Sequence, residues 1–579
     1  MMHVALLAAV SLTASQVERA DTAELRKEMR RAAIRYETIA RRRAPLTYHA
    51  GGGSSCDEIV GRFCLTYGDG PGGRLPEEPE VIAAARDSVI RVYTRALTFW
   101  PTDTTVVAPL VRYHIEADSM EVAERVAISF ERFGGDPLWT GLLRGLANHE
   151  AGRSDVALDY FEEASRLMDS RERERAWEVD ALIARDERRR LEKVEPAERE
   201  RYLAKLWAFA DPLFLTPGNE ARAEHFARYV WGRIIRRAPT VFGSFTWGDD
   251  TEELLRRFGA TRARSRAPGT GLGATDAIIE YHDPDLMTLT PPRLLEEGLP
   301  MAPPPPDRWP LDTLVRQSGF APRTTRSLGP LQHQLSRFPV GDSIRLRVDA
   351  LLPLDSAAAA APGPLEAGLF VFDTAFNLLA SRIGPGWLRG DTLVLSLEAV
   401  VPAATPLIYS VEARETASRL AARSRYRLDP LPVSLPLVSD LVIGEPFESG
   451  ADVRAAGIDA LGQLVLPKGI TVGIFAEFGG LAPGESGIRR ANVEFEILDA
   501  KEPSVLRRFG RFVGRLFGRT EPGAPRLAWA ESFADGEATS IATTIDLRNV
   551  SGGLKILRLT VSDPVAGTRA VRERSVLLR

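Results

Sequence analysis

The stretch Ile344-Arg345-Leu346-Arg347-Val348-Asp349 marks where this chain changes from one kind of structure to another. Three branched apolar residues alternate with three charged ones, so one side of an extended segment is apolar and the other polar. That period of two belongs to a β-strand with one face in a core. It sets in near residue 332. Leu369 to Phe372, Leu393 to Leu397 and Leu407 to Val411 are further strand candidates. A second set begins near Leu464: Val472, Ile474 and Ala476, then Val493, Phe495 and Ile497, then Ile541 to Leu547 and Leu554 to Val561. Each set spans roughly 100 to 130 residues with turn signals between strands. The pattern predicts two consecutive immunoglobulin-like β-sandwiches, over 331–445 and 446–579.

Upstream of the switch the period is helical. Asp21-Thr22-Ala23-Glu24 reads as a capping box, and Leu25, Met29, Ala33, Tyr36 and Ala40 then recur on one face. From Glu80 to Ser170 the spacing predicts paired antiparallel helices. Within it, Leu138 to Ala164 resembles a tetratricopeptide repeat: Gly145, Gly152, Ala157, Phe161 and Ala164 hold the tight-contact positions, while Gly141 stands where that repeat usually has tryptophan. Such units stack into concave surfaces that hold other proteins. The region 17–200 is therefore expected to be helical and repeat-like. Its end, Arg171 to Arg201, is densely charged with both signs, and reads as one solvated helix in preference to a nucleic-acid or partner face.

At 579 residues the chain is too long for one core. Its 44% hydrophobic and 26% charged residues are those of an ordinary globular protein, and a formal charge of −4 argues against nucleic acid as a partner. Arginine outnumbers lysine, as in chains from GC-rich bacteria. Residues 1–16 contain the apolar run Val4 to Val10 followed by Ala14 and Ser15, the outline of a signal peptide without its basic start. No stretch approaches the ~20 apolar residues of a membrane span. The two cysteines, Cys56 and Cys64, are candidates for a small disulfide loop; two thiols are too few for a zinc site. Together these features favour export to the periplasm or envelope.

Between 201 and 330 the sequence predicts a small α+β module ending in a stiff connector around Pro303-Pro304-Pro305-Pro306. Its most pointed element is Trp247-Gly248-Asp249-Asp250-Thr251-Glu252-Glu253. Asp250 and Glu253 have capping-box spacing; Leu254, Leu255 and Phe258 give the ensuing helix a buried side, and Gly259 stops it. Trp247 is then a core anchor, and Asp249 is left without a structural role. Leu206-Trp207 to Asp211-Pro212, Asn219-Glu220-Ala221-Arg222, Trp247 to Asp250 and Arg257-Phe258-Gly259 resemble the GWxTD-domain family of bacteria. The phrase Leu437-Val438-Ser439-Asp440 looks like that family's link between trailing β-domains. Thr246, Gly248 and Asp249 depart from the name motif, so the resemblance is to a divergent member. It implies an architecture and a cluster of motif residues (Trp207, Asp211, Asn219, Glu220, Arg222, Trp247, Asp249 and Asp250), and no chemistry.

Catalytic signatures are sparse. His114, His149 and His225 stand singly on helices, none in a His-Glu-x-x-His arrangement, and His333 leads into a strand. His282-Asp283-Pro284-Asp285 is turn chemistry, and Gly269-Thr270-Gly271-Leu272-Gly273 lacks the strand that a phosphate loop follows. The segment Leu506 to Arg519 is a basic amphipathic helix candidate. Phe509, Phe512 and Phe517 lie on one face with Arg511 and Arg515 beside it, suited to an anionic membrane, a partner's groove or the sandwich itself.

The reading favours a non-enzymatic, exported bacterial protein with no cofactor and no metal, holding other proteins through its helical groove or sandwich surfaces. Two competitors stand beside it. One is a hydrolase or lyase at Trp247, Asp249 and Asp250, which would require those carboxylates to meet His225 or His282. The other is a peripheral membrane binder acting through 506–519.

Overall fold

The computed structural model describes residues 2–46, 58–65, 77–238, 247–260, 263–267, 278–282 and 289, then 322, 324–325, 327–360, 362–403, 405–431, 435–447, 459–484, 487–499, 526–533 and 540–579. Cys56, the loop at Gly269–Gly273, the turn after His282, the proline connector and the amphipathic segment 506–519 lie outside the described residues, as do the side chains of Cys64 and His282. The chain forms two compact units. One is built on residues up to Pro291 apart from Leu213–Leu215, and the other on that tripeptide and Thr324–Arg579.

The first unit is helical. Its helices are α1 (Met2–Arg43), α2 (Glu80–Phe99), α3 (Thr104–Glu116), α4 (Met120–Arg132), α5 (Pro137–Glu150) and α6 (Ser154–Leu167). Then come α7 (Ser170–Trp177), α8 (Arg185–Leu191), α9 (Pro196–Ala210), α10 (Glu220–Arg236) and α11 (Asp249–Phe258). Two hairpins accompany them: β1 (Glu58–Val60) with β2 (Phe63–Leu65), and β3 (Ala263–Ala267) with β4 (Ile278–His282). Among the described residues no helix is long and apolar enough to cross a membrane.

Leu25, Met29, Ala33, Tyr36 and Ala40 are all buried in one core that continues through α2–α6 to Ile234 of α10 and Leu255 of α11. The helix carrying them starts at Met2 and not at Asp21, because the alanines and leucines upstream are strong helix formers. The α5–α6 hairpin packs as closely as its small residues allow. A Cβ placed on Gly145 would lie 2.3 Å from the Phe161 ring, and one on Gly141 would lie 2.9 Å from Ala164.

Two expectations need correcting. Arg171 to Arg201 is not one solvated helix but α7, α8 and the start of α9, since buried Val179, Leu182 and Ile183 draw the chain inward between them. The boundary expected at residues 200 and 201 falls inside α9, and α10 and α11 join the core of the preceding helices.

The second unit is β. Its first half has β5 (Ser327–Pro330), β6 (Gln332–Val340), β7 (Ser343–Pro353), β8 (Leu365–Asp373), β9 (Leu378–Pro385), β10 (Trp387–Arg389), β11 (Thr392–Pro402), β12 (Leu407–Glu415) and β13 (Leu420–Leu428). They form sheets ordered β10-β11-β7-β6 and β5-β13-β12-β8-β9 around one core. Phe214 lies against Phe370, Phe372 and Phe376 at the edge of this half, with the Arg425 guanidinium 4.1 Å above its ring.

The second half has β14 (Leu437–Val438), β15 (Val442–Gly444), β16 (Val465–Leu466), β17 (Thr471–Gly479), β18 (Arg489–Asp499), β19 (Arg526–Phe533), β20 (Ser540–Asp546), β21 (Gly553–Asp563) and β22 (Thr568–Leu578). Here β17 pairs with β14, β15 and β20, and the facing sheet runs β16-β22-β21-β18-β19 around a second core. The five-stranded sheets repeat one scheme. In each, a short first strand pairs parallel with the last strand and the remaining pairs are antiparallel.

The halves are joined by buried and half-buried polar contacts. The Gln334 side chain bonds to the backbone of Ile443 and Leu461 like an extra strand residue. Arg337 grips Asp440 through two nitrogens, and Arg574 donates to the Leu335 and Leu441 carbonyls. Asp440 belongs to the Leu437–Asp440 phrase singled out in the sequence.

Candidate functional site

Helix α10 organises the motif residues, but at two separate ends. At its N-terminus Asn219 is the cap: its Oδ1 accepts from the Arg222 amide at 2.9 Å, and its Nδ2 donates to the Trp207 carbonyl at 2.6 Å. Buried Glu220 accepts from the Thr216 hydroxyl. Arg222 pairs with Glu162 and lies over the Trp177 ring. Buried Asp211 ends α9, its amide returning to the Trp207 carbonyl. Trp207 packs 5.2 Å from fully buried His225, whose pKa burial, and then Arg256 and Arg228, push well below the ordinary value. That imidazole stays neutral.

Thirteen residues further along, roughly 20 Å of helix, Gly232 faces the half-buried Trp247 and Leu255. Here the cap differs from expectation. Helix α11 starts two residues early, with Gly248 as N-cap; the Thr251 hydroxyl accepts from the Gly248 amide at 2.8 Å and donates to its carbonyl at 2.6 Å.

Asp250 is engaged elsewhere. Its carboxylate takes the Arg62 Nε at 2.6 Å, Nη2 at 2.8 Å and backbone amide at 3.2 Å, besides the Thr251 amide at 2.8 Å. Those bonds, the Arg62 side chain first, hold its carboxyl well below the usual carboxylate range. Gly61 makes the approach feasible: it has φ +53°, and a Cβ there would fall 2.3 Å from that of Asp250. The β1–β2 hairpin within the cysteine segment is thus latched to α11. Asp249 is exposed, and its charge acts on Arg175. The partner of Asp250 is therefore Arg62 and not His225.

The cleft lies on the other side of Trp247. A space of about 470 Å³ opens among α7, α10 and α11. Two buried arginines form its frame. Arg228 donates to the Arg256 and Arg257 carbonyls at the end of α11 and to Glu224, and Arg256 donates to the Arg175 and Glu178 carbonyls at the end of α7. Each guanidinium thus satisfies the last carbonyls of a neighbouring helix. Gly259, at φ +76°, lets the chain leave past Arg228.

Toward solvent stand Arg171, Arg175, Arg233, Arg236 and Arg237, with Tyr229 and Trp247 on the wall and Asp169, Glu172 and Glu252 as the only lining carboxylates among the described residues. Arg233 and Arg237 also lie over the Trp139 ring at 4.9 and 4.6 Å. Seven arginines against three carboxylates make this a strongly cationic concavity, suited to binding oxyanions.

The cleft was not anticipated from the sequence. Of the motif residues only Trp247 lines it; Trp207, Asp211, Asn219, Glu220 and Arg222 sit at the far end of α10, and Asp250 faces the hairpin. A signal was present in the i,i+4 pairs Arg171/Arg175 and Arg233/Arg237, each of which puts two guanidinium groups on one helix face.

No family model matches the chain, and no curated protein matches it. Among solved structures it is similar to the native conformation of alpha-2-macroglobulin from E. coli at 11% identity, covering 43% of this chain and 16% of that chain with a TM-score of 0.13. A likeness at that score carries no argument.

Proposed function

We propose that this chain is a non-enzymatic, exported bacterial binding protein that serves as an interaction or scaffold module in the cell envelope. In this reading it is a divergent relative of the GWxTD-domain family, with a tetratricopeptide-like helical part and two immunoglobulin-like sandwiches. The observation that carries the reading is how the motif's polar side chains are engaged. Asp250 latches a hairpin, Asn219 caps α10, Glu220 takes the Thr216 hydroxyl and Arg222 holds Glu162. Each serves the fold, and the cleft is lined by more hydrogen-bond donors than carboxylates, the equipment of recognition.

The test is in-cell crosslinking of the full chain followed by fractionation and mass spectrometry. The expected result is recovery in the envelope fraction with defined protein partners, and loss of some crosslinks when the helical surface is substituted. Recovery in the cytosolic fraction without crosslinked partners would overturn it.

A further inference from the structure

We propose that the arginine-lined cleft beside Trp247 is a binding site for a small organic anion carrying more than one oxyanion group, phosphate or carboxylate. This goes beyond the role in holding proteins and does not depend on it. The first support is charge. Glu172 is matched by Arg233, and Glu252 by Arg175 and Arg256, while Asp169 caps α7 through the Glu172 amide. Arg171, Arg236 and Arg237 have no carboxylate in ion-pair range among the described residues. The positive charge therefore exceeds what the described residues neutralise. Burial, and then the neighbouring Arg233, lower the Arg237 pKa, while Glu172 and Asp136 act in the opposite sense.

The second support is construction. The backbone ends that frame the cleft are tied by the buried Arg228 and Arg256, so the exposed guanidinium groups converge from α7 and α10 on a fixed concavity and not on a loose surface. A guanidinium fork matches phosphate and carboxylate oxygens in pairs, which accounts for several forks around one space. The volume of about 470 Å³ fits a small molecule, and Tyr229 and Trp247 supply an apolar wall for its carbon skeleton.

The experiment is isothermal titration calorimetry on the full chain with three probes: tripolyphosphate, citrate and a hexaglutamate peptide. Each is run on the native protein, on Arg171→Glu with Arg236→Glu, and on Arg189→Glu with Arg199→Glu, which makes the same charge change on exposed positions outside the cleft. The expected result is saturable binding of tripolyphosphate or citrate, weakened at least about tenfold by the cleft pair and unchanged by the control pair. Preference between those two probes tells a phosphate ligand from a carboxylate one. Binding of neither, equal weakening by both variant pairs, or binding of hexaglutamate alone would overturn the proposal. Circular dichroism and melting of each variant guard against misfolding, and Arg171→Lys with Arg236→Lys, which keeps the charge and loses the fork, is expected to bind at an intermediate level.

Discussion

Arg62 and Asp250, 188 residues apart in sequence, form a three-bond latch with Gly61 pressed against the carboxylate, which also accepts from the Thr251 amide. The latch joins the two features that the sequence makes most conspicuous, the segment around Cys64 and the Trp-Gly-Asp-Asp stretch. It also explains the displaced cap. An aspartate drawn into a bidentate ion pair no longer serves as N-cap, and Thr251 takes over from inside the first turn.

Replacing Arg62 with alanine is therefore expected to release the β1–β2 hairpin while leaving the helical core intact. Hydrogen exchange would show faster exchange at Val60 to Cys64 with little change in α3–α6. Unaltered protection of the hairpin would contradict the latch. The folded carboxyl lies below its ordinary value of 3.8, so its contribution is fully present above that pH and is lost only as pH falls through the folded value. The hairpin should thus stay closed from neutral pH down to about pH 4.

Substituting Gly145 tests how closely α5 and α6 pack. In an ordinary helix interior, glycine to alanine stabilises by up to ~1 kcal/mol. Here the added Cβ would lie 2.3 Å from Phe161, which is itself stacked on Phe226 at 4.7 Å and has little room to yield. Overpacking of that kind costs about 1–3 kcal/mol, so the sign reverses. Gly145→Ala should lower the melting temperature of the first unit, and an unchanged or higher value would mean the hairpin opens cheaply.

His333 is expected to contribute a loss of stability in mild acid to the second unit. Its Nδ1 is 3.0 Å from the Leu331 carbonyl, which can only accept, so that nitrogen carries the proton and Nε2 accepts from the Tyr409 hydroxyl at 2.8 Å. Burial pushes the imidazole pKa from 6.5 down to about 4. The unfolded chain binds the extra proton first, so stability is full above the unfolded value and falls as pH drops through that window, by about 3 kcal/mol in all. Asp349 and Glu412, raised by burial, act in the opposite sense and gain as pH falls. Urea denaturation across the window should show a steeper loss in the native chain than in His333→Gln. Equal slopes would clear His333 of the effect.

The strand pattern around Ile344 was legible because each sandwich core selects alternate residues, and Ile344, Leu346 and Val348 are indeed buried. The same pattern misreads the other face. Arg347 and Asp349 are buried too, paired at 2.9 Å, and a segment far along the chain packs on the same strand: a Cβ on Gly462 would meet the Ala350 backbone at 2.7 Å. Alternation reports the nearest core and says nothing of a layer added more than a hundred residues later. The cleft was hidden for a related reason. Its arginines come from three helices, and only folding shows that Arg228 and Arg256 turn inward while Arg171 and Arg236 converge outward.

The junction within the β unit supports the last prediction. Burial would raise the Asp440 carboxyl, but Arg337, Arg574 and Arg572 together hold it below its ordinary value. Removing one member of a fully buried pair costs about 3–5 kcal/mol, and this half-buried pair, with Arg574 and Arg572 still near Asp440, should cost a part of that. Arg337→Met should therefore destabilise the β unit, although methionine fills much of the arginine's volume. Adding Asp440→Asn removes the stranded charge and should recover a large part of the loss. The amide can still accept from the Arg337 backbone N–H, which lies 3.0 Å from the native carboxylate. Denaturant melts of the two single variants and the double variant form the required cycle. Additive losses would mean that Arg337 and Asp440 act independently, and that the halves are held by Gln334 and Arg574 instead.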